Sequence, residues 1–123
     1  SCDNFMKLKI GIIDDEQHAI ETLVYDLMEI AGDQVDILFT SNDPFDGARA
    51  ARISKPDILF LDVVMPGLSG LELYGLVEDL GIRVIFVTAY SENISMISKT
   101  KAAGYLMKPV MHDELEQIMH TLI

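Results

Sequence analysis

The sequence predicts an α/β fold: a doubly wound sheet of five parallel strands in the order 2-1-3-4-5, with helices on both faces. Three observations predict it. Strand-like apolar runs alternate strictly with segments of helical spacing, five of each, and the short connections between them imply right-handed crossovers in a parallel sheet. The runs Ile10 to Ile13, Ile58 to Leu61 and Val84 to Val87 are apolar at nearly every position, so they are covered on both faces and occupy the middle of the sheet. With 123 residues and 50% hydrophobic side chains, the chain has material for one domain with its own core and too little for two.

The elements follow in order. Leu8 to Ile13 is the first strand, and Ile20, Leu23, Val24, Leu27 and Ile30 recur at helical intervals until Gly32 stops the first helix. Val35, Ile37 and Phe39 alternate as the second strand. Asp43 followed by Pro44 reads as an N-cap with proline at the first helical position, and this second helix ends before Lys55 and Pro56. Ile58 to Leu61 is the third strand; Leu71, Leu73, Leu76, Val77 and Leu80 give the third helix, closed by Gly81. Val84 to Val87 is the fourth strand. Ser91 to Ala103 reads as a polar fourth helix with few anchors, Ile94 and Ile97 among them, ended by Gly104. Tyr105 to Met107 is a short fifth strand, and Leu115, Ile118, Met119 and Leu122 form the face of the last helix. Residues 1–6 read as a native lead or an expression remnant ahead of a domain spanning 7–123, because Met6 is a candidate initiator.

Charge and cysteine content narrow the function. A formal charge of -11 and nine scattered basic residues disfavour direct contact of this segment with a nucleic-acid backbone, which calls for clustered Lys and Arg. The single cysteine, Cys2, excludes an internal disulfide framework and fits a reducing compartment. No apolar stretch approaches the roughly 18 residues of a membrane-spanning helix, and no signal-peptide pattern opens the sequence. A cytoplasmic location without membrane contact is the expectation.

Chemistry collects at the carboxyl ends of four strands. The first ends in Asp14 and Asp15, the third in Asp62, the fourth in Thr88 and Ala89, the fifth in Lys108 before Pro109. In a 2-1-3-4-5 sheet the crevice opens between the first and third strands, where the winding reverses, so the acids meet there. Singly, each residue has an ordinary explanation: an acidic pair caps a helix, a strand-end aspartate forms a turn, a threonine ends a strand, a lysine is solvated. Together they are three carboxylates that repel one another unless a hard cation joins them, with a hydroxyl and an ammonium alongside. Magnesium suits such a set because it accepts a few carboxylates and keeps water for a phosphate oxygen to replace.

On the ordered set Asp14-Asp15, Asp62 followed by Met65-Pro66-Gly67, Thr88-Ala89 and Lys108-Pro109, the chain resembles a receiver domain of bacterial two-component response regulators, over roughly Lys7 to Ile123. The resemblance implies the flavodoxin-like (βα)5 fold. It implies that Asp62 is the phosphoacceptor, with Asp15, Asp62 and the Val64 backbone carbonyl holding magnesium or manganese and Asp14 acting largely through water. Thr88, Ala89 and Lys108 then bind phosphoryl oxygens, and the Lys108-Pro109 bond is cis. Thr88 and Tyr105 form the implied switch, altering the surface of the fourth helix, fifth strand and fifth helix. The implied partners are a sensor histidine kinase or phosphotransfer protein, an output domain or effector protein, and a second copy through that surface. Val64 and Tyr90 flank the path of an attacking water and orient it poorly, which predicts slow loss of the phosphoryl group.

Other functions on similar architecture fit less well. A flavin carrier needs a hydroxyl- and glycine-rich loop after the first strand, where Asp14, Asp15 and Glu16 repel phosphate. A dehalogenase-like phosphatase needs a second acid two residues after its aspartate nucleophile, and Val64 stands there. A non-phosphorylated receiver-like interaction module is the remaining alternative, although such relatives typically lack one member of the set. His18, His112 and His120 have no zinc-site spacing and read as surface or helix residues.

Overall fold

The computed structural model describes residues 6–123; Cys2 and most of the expected lead lie outside the described residues. Its elements are β1 (Leu8–Ile13), α1 (Gln17–Ala31), β2 (Val35–Ser41), α2 (Pro44–Ser54), β3 (Ile58–Asp62), α3 (Gly70–Val77), β4 (Arg83–Thr88), α4 (Ile94–Ser98), β5 (Gly104–Met107) and α5 (His112–Leu122). The five strands form one sheet in the order β2-β1-β3-β4-β5, all pairs parallel. This is the predicted topology.

Side-chain alternation along the central strands divides the core into two layers. Ile58 and Phe60 of β3 pack with Leu23, Leu27, Leu115 and Met119 from α1 and α5. Leu59 and Leu61 face the other way, against Ala51, Leu73, Val77 and Ile97 from α2, α3 and α4. All five residues of β3 are buried, which is why that run is apolar until its last position. In β2, at the sheet edge, only Val35 is fully buried, and its alternating pattern reflects that position.

Local signals set several boundaries. The Asp43 carboxylate accepts a hydrogen bond from the Phe45 N–H at 3.1 Å, with Pro44 opening α2, as the dipeptide predicts. Lys55 closes α2 in the left-handed conformation, φ 48°. At the start of α3, Ser69 and Glu72 form a reciprocal capping box.

Two helices are shorter than the sequence predicts. α3 gives way after Val77 to a 3-10 turn over Glu78–Leu80, and Leu76, expected on its apolar face, is half-exposed beside Phe45. The expected helix from Ser91 to Ala103 is a 3-10 turn, Ser91–Asn93, followed by the five residues of α4. Beyond Thr100 the backbone finds partners elsewhere: the Lys101 N–H donates to the Tyr74 hydroxyl at 3.1 Å and the Ala103 N–H to the Val84 carbonyl at 2.8 Å. Gly104 therefore opens β5 opposite Ile85 rather than ending a helix.

Candidate functional site

Strand register assembles the site. Ile13 of β1 lies opposite Leu61 of β3, so the next residues, Asp14 and Asp62, emerge side by side. Asp62 is paired with Val87, and Thr88 with Met107, which brings Thr88 and Lys108 to the same edge. Asp14, Asp62 and Thr88 are buried polar residues, unlike the exposed acids over the rest of the surface. Together with α1 and the segment after β5, Asp14 and Asp62 border a crevice of about 350 Å³ whose lining includes Glu16 and Lys108.

The loop after Asp62 is held close to the strand it leaves. Gly67 turns it at φ 85°, and the Gly70 N–H donates to the Val63 carbonyl at 2.8 Å. A Cβ on Gly70 would fall 2.1 Å from the Asp62 carbonyl oxygen, so only glycine allows α3 to start there.

Lys108 ties the acids together. Its ammonium lies 2.8 Å from Asp14, 3.1 Å from Glu16 and 3.5 Å from Asp62. The other Asp14 oxygen accepts the Glu16 N–H at 2.9 Å. Burial, reinforced by the negative charge of Asp14, pushes the Asp62 carboxyl up to about 7, against the downward pull of Lys108. Asp15, through hydrogen bonding and its negative charge, raises Asp62 further. Burial alone would lower the pKa of Lys108, but its hydrogen bond to Asp14 and the charges of Asp62 and Asp14 hold it above the ordinary lysine range. Lys108 is therefore a fixed cation at neutral pH.

The donor chemistry fits a hard divalent cation. One carboxylate oxygen from each of Asp14, Asp15 and Glu16 lies within 4.8 Å of the others, and oxygen-only sets of this charge suit magnesium or manganese. Asp62 is not in that tight group; it joins through Asp15 and Lys108. Val64 is 53% exposed and Tyr90 51%, and neither is among the residues lining the crevice.

The remaining expected site residues take these places. The Lys108-Pro109 peptide bond is cis. Thr88 is fully buried and its hydroxyl engages the following turn: it accepts from the Asn93 amide at 2.8 Å and the Tyr90 N–H at 3.1 Å. Ala89 is exposed at the end of β4. Tyr105 is 41% exposed on β5. His18, His112 and His120 are all exposed, and each lies on a helix.

Two residues escaped the sequence reading. Glu16 was legible only as a repulsive charge, yet it contacts Lys108 across 92 positions of sequence; its adjacency to the acidic pair was the available signal. Asn93 carried no signal, because its relation to Thr88 arises from the 3-10 turn between them.

Comparison with known proteins agrees with this geometry. Residues 10–120 match the family model described as the response regulator receiver domain. The chain is 36% identical over 112 residues, 90% of its length, to an uncharacterised response regulatory protein of Vibrio vulnificus, covering 46% of that protein. It is 33% identical over 116 residues, 94% of its length, to the transcriptional regulatory protein BtsR of Escherichia coli, covering 48% of it. The chain thus spans about half the length of the curated relatives it matches. Among solved structures, the response regulatory domain of MrkE from Klebsiella pneumoniae superposes with a TM-score of 0.85 at 24% identity, 94% of each chain covered. The receiver domain of NarL from Mycobacterium tuberculosis gives 0.84 at 22%, covering 95% of this chain and 96% of that one, and both likenesses speak for the fold. With the acids, hydroxyl and lysine gathered at the ends of a 2-1-3-4-5 sheet and nearly the whole chain matched, this protein belongs to the response regulator receiver domain family of two-component systems.

Proposed function

We propose that the chain accepts a phosphoryl group on Asp62 from a phosphohistidine of a sensor kinase or phosphotransfer protein. The observation that carries this reading is the buried Asp62 carboxylate held 3.5 Å from a permanently charged Lys108 at the mouth of the crevice. An Asp62 oxygen attacks phosphorus in line; the new O–P bond forms as the P–N bond breaks, and the departing imidazole nitrogen keeps the electron pair and takes a proton. A magnesium or manganese ion held by Asp15, Asp62 and the Val64 carbonyl, with Asp14 through water, would supply charge neutralisation on the transferring group. Lys108 pairs with a phosphoryl oxygen of the acyl phosphate, and Thr88 and the Ala89 backbone contact another. No enzyme turnover is involved; the domain assists its own modification.

Signalling then follows from Thr88. When its hydroxyl turns towards the phosphoryl group, room opens for Tyr105 to move in from its half-exposed position, which remodels the face of α4, β5 and α5. That face is the proposed contact for an output domain, effector or second copy, and the setting is the cytoplasm.

Intact mass after incubation with acetyl phosphate and magnesium tests the reading. The wild type should gain one phosphoryl group and Asp62→Asn none. An unmodified wild type would favour the interaction module that works without phosphorylation.

A further inference from the structure

Thr88 does not face an open site with a free hydroxyl. Its oxygen accepts two hydrogen bonds, from the Asn93 amide at 2.8 Å and the Tyr90 N–H at 3.1 Å, and its own proton points to the Tyr90 carbonyl at a long 3.5 Å. Thr88 is fully buried and is not among the residues lining the crevice, although its neighbours in space Asp62, Val87 and Lys108 are.

Asn93 is placed unusually for this contact. It occupies the N-cap position of α4, where asparagine ordinarily accepts a hydrogen bond from the helix's free N–H groups. Here its side chain makes no such bond and its backbone is helical, φ -74° and ψ -19°. The amide is turned back across the 3-10 turn to Thr88, and the turn is closed by the Asn93 N–H donating to the Tyr90 carbonyl at 3.1 Å. The Asn93 side chain thus serves the hydroxyl of the preceding strand rather than its own helix.

We infer that Asn93 is a positioning residue that restrains the Thr88 hydroxyl in the phosphoryl-free state, so that modification of Asp62 proceeds against the Asn93–Thr88 hydrogen bond. This rests on the proposed role of Asp62 and deepens it by naming what opposes the switch. When Thr88 turns to the phosphoryl group, the Asn93 Nδ2 loses its acceptor at the turn that leads into α4. Rearrangement at the site is thereby transmitted to the start of α4 through one side chain.

The test uses beryllofluoride with magnesium as the phosphoryl mimic, in wild type, Asn93→Ala, Thr88→Ala and the double variant. Loss of one restraining hydrogen bond should tighten beryllofluoride binding by about three- to tenfold in Asn93→Ala. That gain should vanish when Thr88 is already alanine. Threonine-methyl NMR of the free proteins should show the Thr88 side chain averaging between rotamers in Asn93→Ala and fixed in wild type. Unchanged or weaker binding by a folded Asn93→Ala, or a gain that persists without Thr88, would overturn the inference. Asn93→Ser, with a capping side chain too short for this reach, replaces the alanine variant if the latter does not fold. If the wild type binds no beryllofluoride and takes no phosphoryl group from acetyl phosphate, the reading of Asp62 fails, and this inference with it.

Discussion

Lys108 sits closer to Asp14, at 2.8 Å, than to Asp62, at 3.5 Å, so the ammonium compensates the pair of buried acids rather than either alone. Replacing it with the neutral, similarly long methionine leaves two buried carboxylates without their cation. Lys108→Met should lower stability at pH 7.5 by on the order of 2–3 kcal/mol, below the figure for a wholly enclosed pair because the crevice admits water. Urea denaturation with and without magnesium checks this; added magnesium should restore a good part of the loss.

Asp62 gives the metal-free protein a pH dependence of definite sign. Its carboxyl titrates near 7 in the folded chain against an ordinary value of 3.8, so between those values the folded state retains a proton that the unfolded state has released. Stability contributed by this group therefore falls as pH rises from about 4 to about 7 and stays reduced above. Asp62→Asn should flatten that fall and raise the melting temperature at pH 8 by about 5 °C or more. Thermal melts from pH 5 to pH 8 in chelator measure both effects, and magnesium should raise the wild-type melting temperature more at pH 8 than at pH 5.

Val64 and Tyr90 are each about half exposed, and on the proposed phosphorylation of Asp62 neither side chain would orient an attacking water. Val64→Asn combined with Tyr90→Glu should speed loss of the phosphoryl group by roughly tenfold, by positioning the attacking water. Phosphoprotein lifetime in the absence of donor measures it, and an unaltered lifetime would refute the role of these positions.

Two glycines of α3 should respond in opposite directions. Gly70→Ala drives a methyl group into the Asp62 carbonyl and should cost about 2 kcal/mol, while slowing phosphorylation by displacing the loop. At Gly75 an added Cβ meets nothing within 4 Å, so Gly75→Ala should stabilise by about 0.5–1 kcal/mol. Denaturant midpoints of the two variants decide both.

Much of this was legible in the residues because its causes are local or periodic. The covered strands β3 and β4 declare themselves by consecutive apolar positions, and Asp43-Pro44 announces α2 by capping chemistry alone. Strand ends then placed Asp14, Asp62, Thr88 and Lys108 near one another once the topology was granted. What stayed hidden depends on distant partners. The end of α4 follows from Tyr74 and Val84 taking the N–H groups of Lys101 and Ala103, residues far away in sequence. Leu76 reads as core by spacing but falls where α2 and α3 leave a groove at the surface. Glu16 read only as one more repulsive charge beside the acidic pair until Lys108 arrived from the far end of the chain.

The division of β3 between two layers also bears on how the domain is built to communicate. Successive residues of that strand are gripped from opposite sides, and close-packed interiors yield little. A tug on the backbone at Asp62 thus has no soft flank in which to dissipate. Helices on both sides of the sheet pack against it, so a displacement there would reach both flanks of the domain.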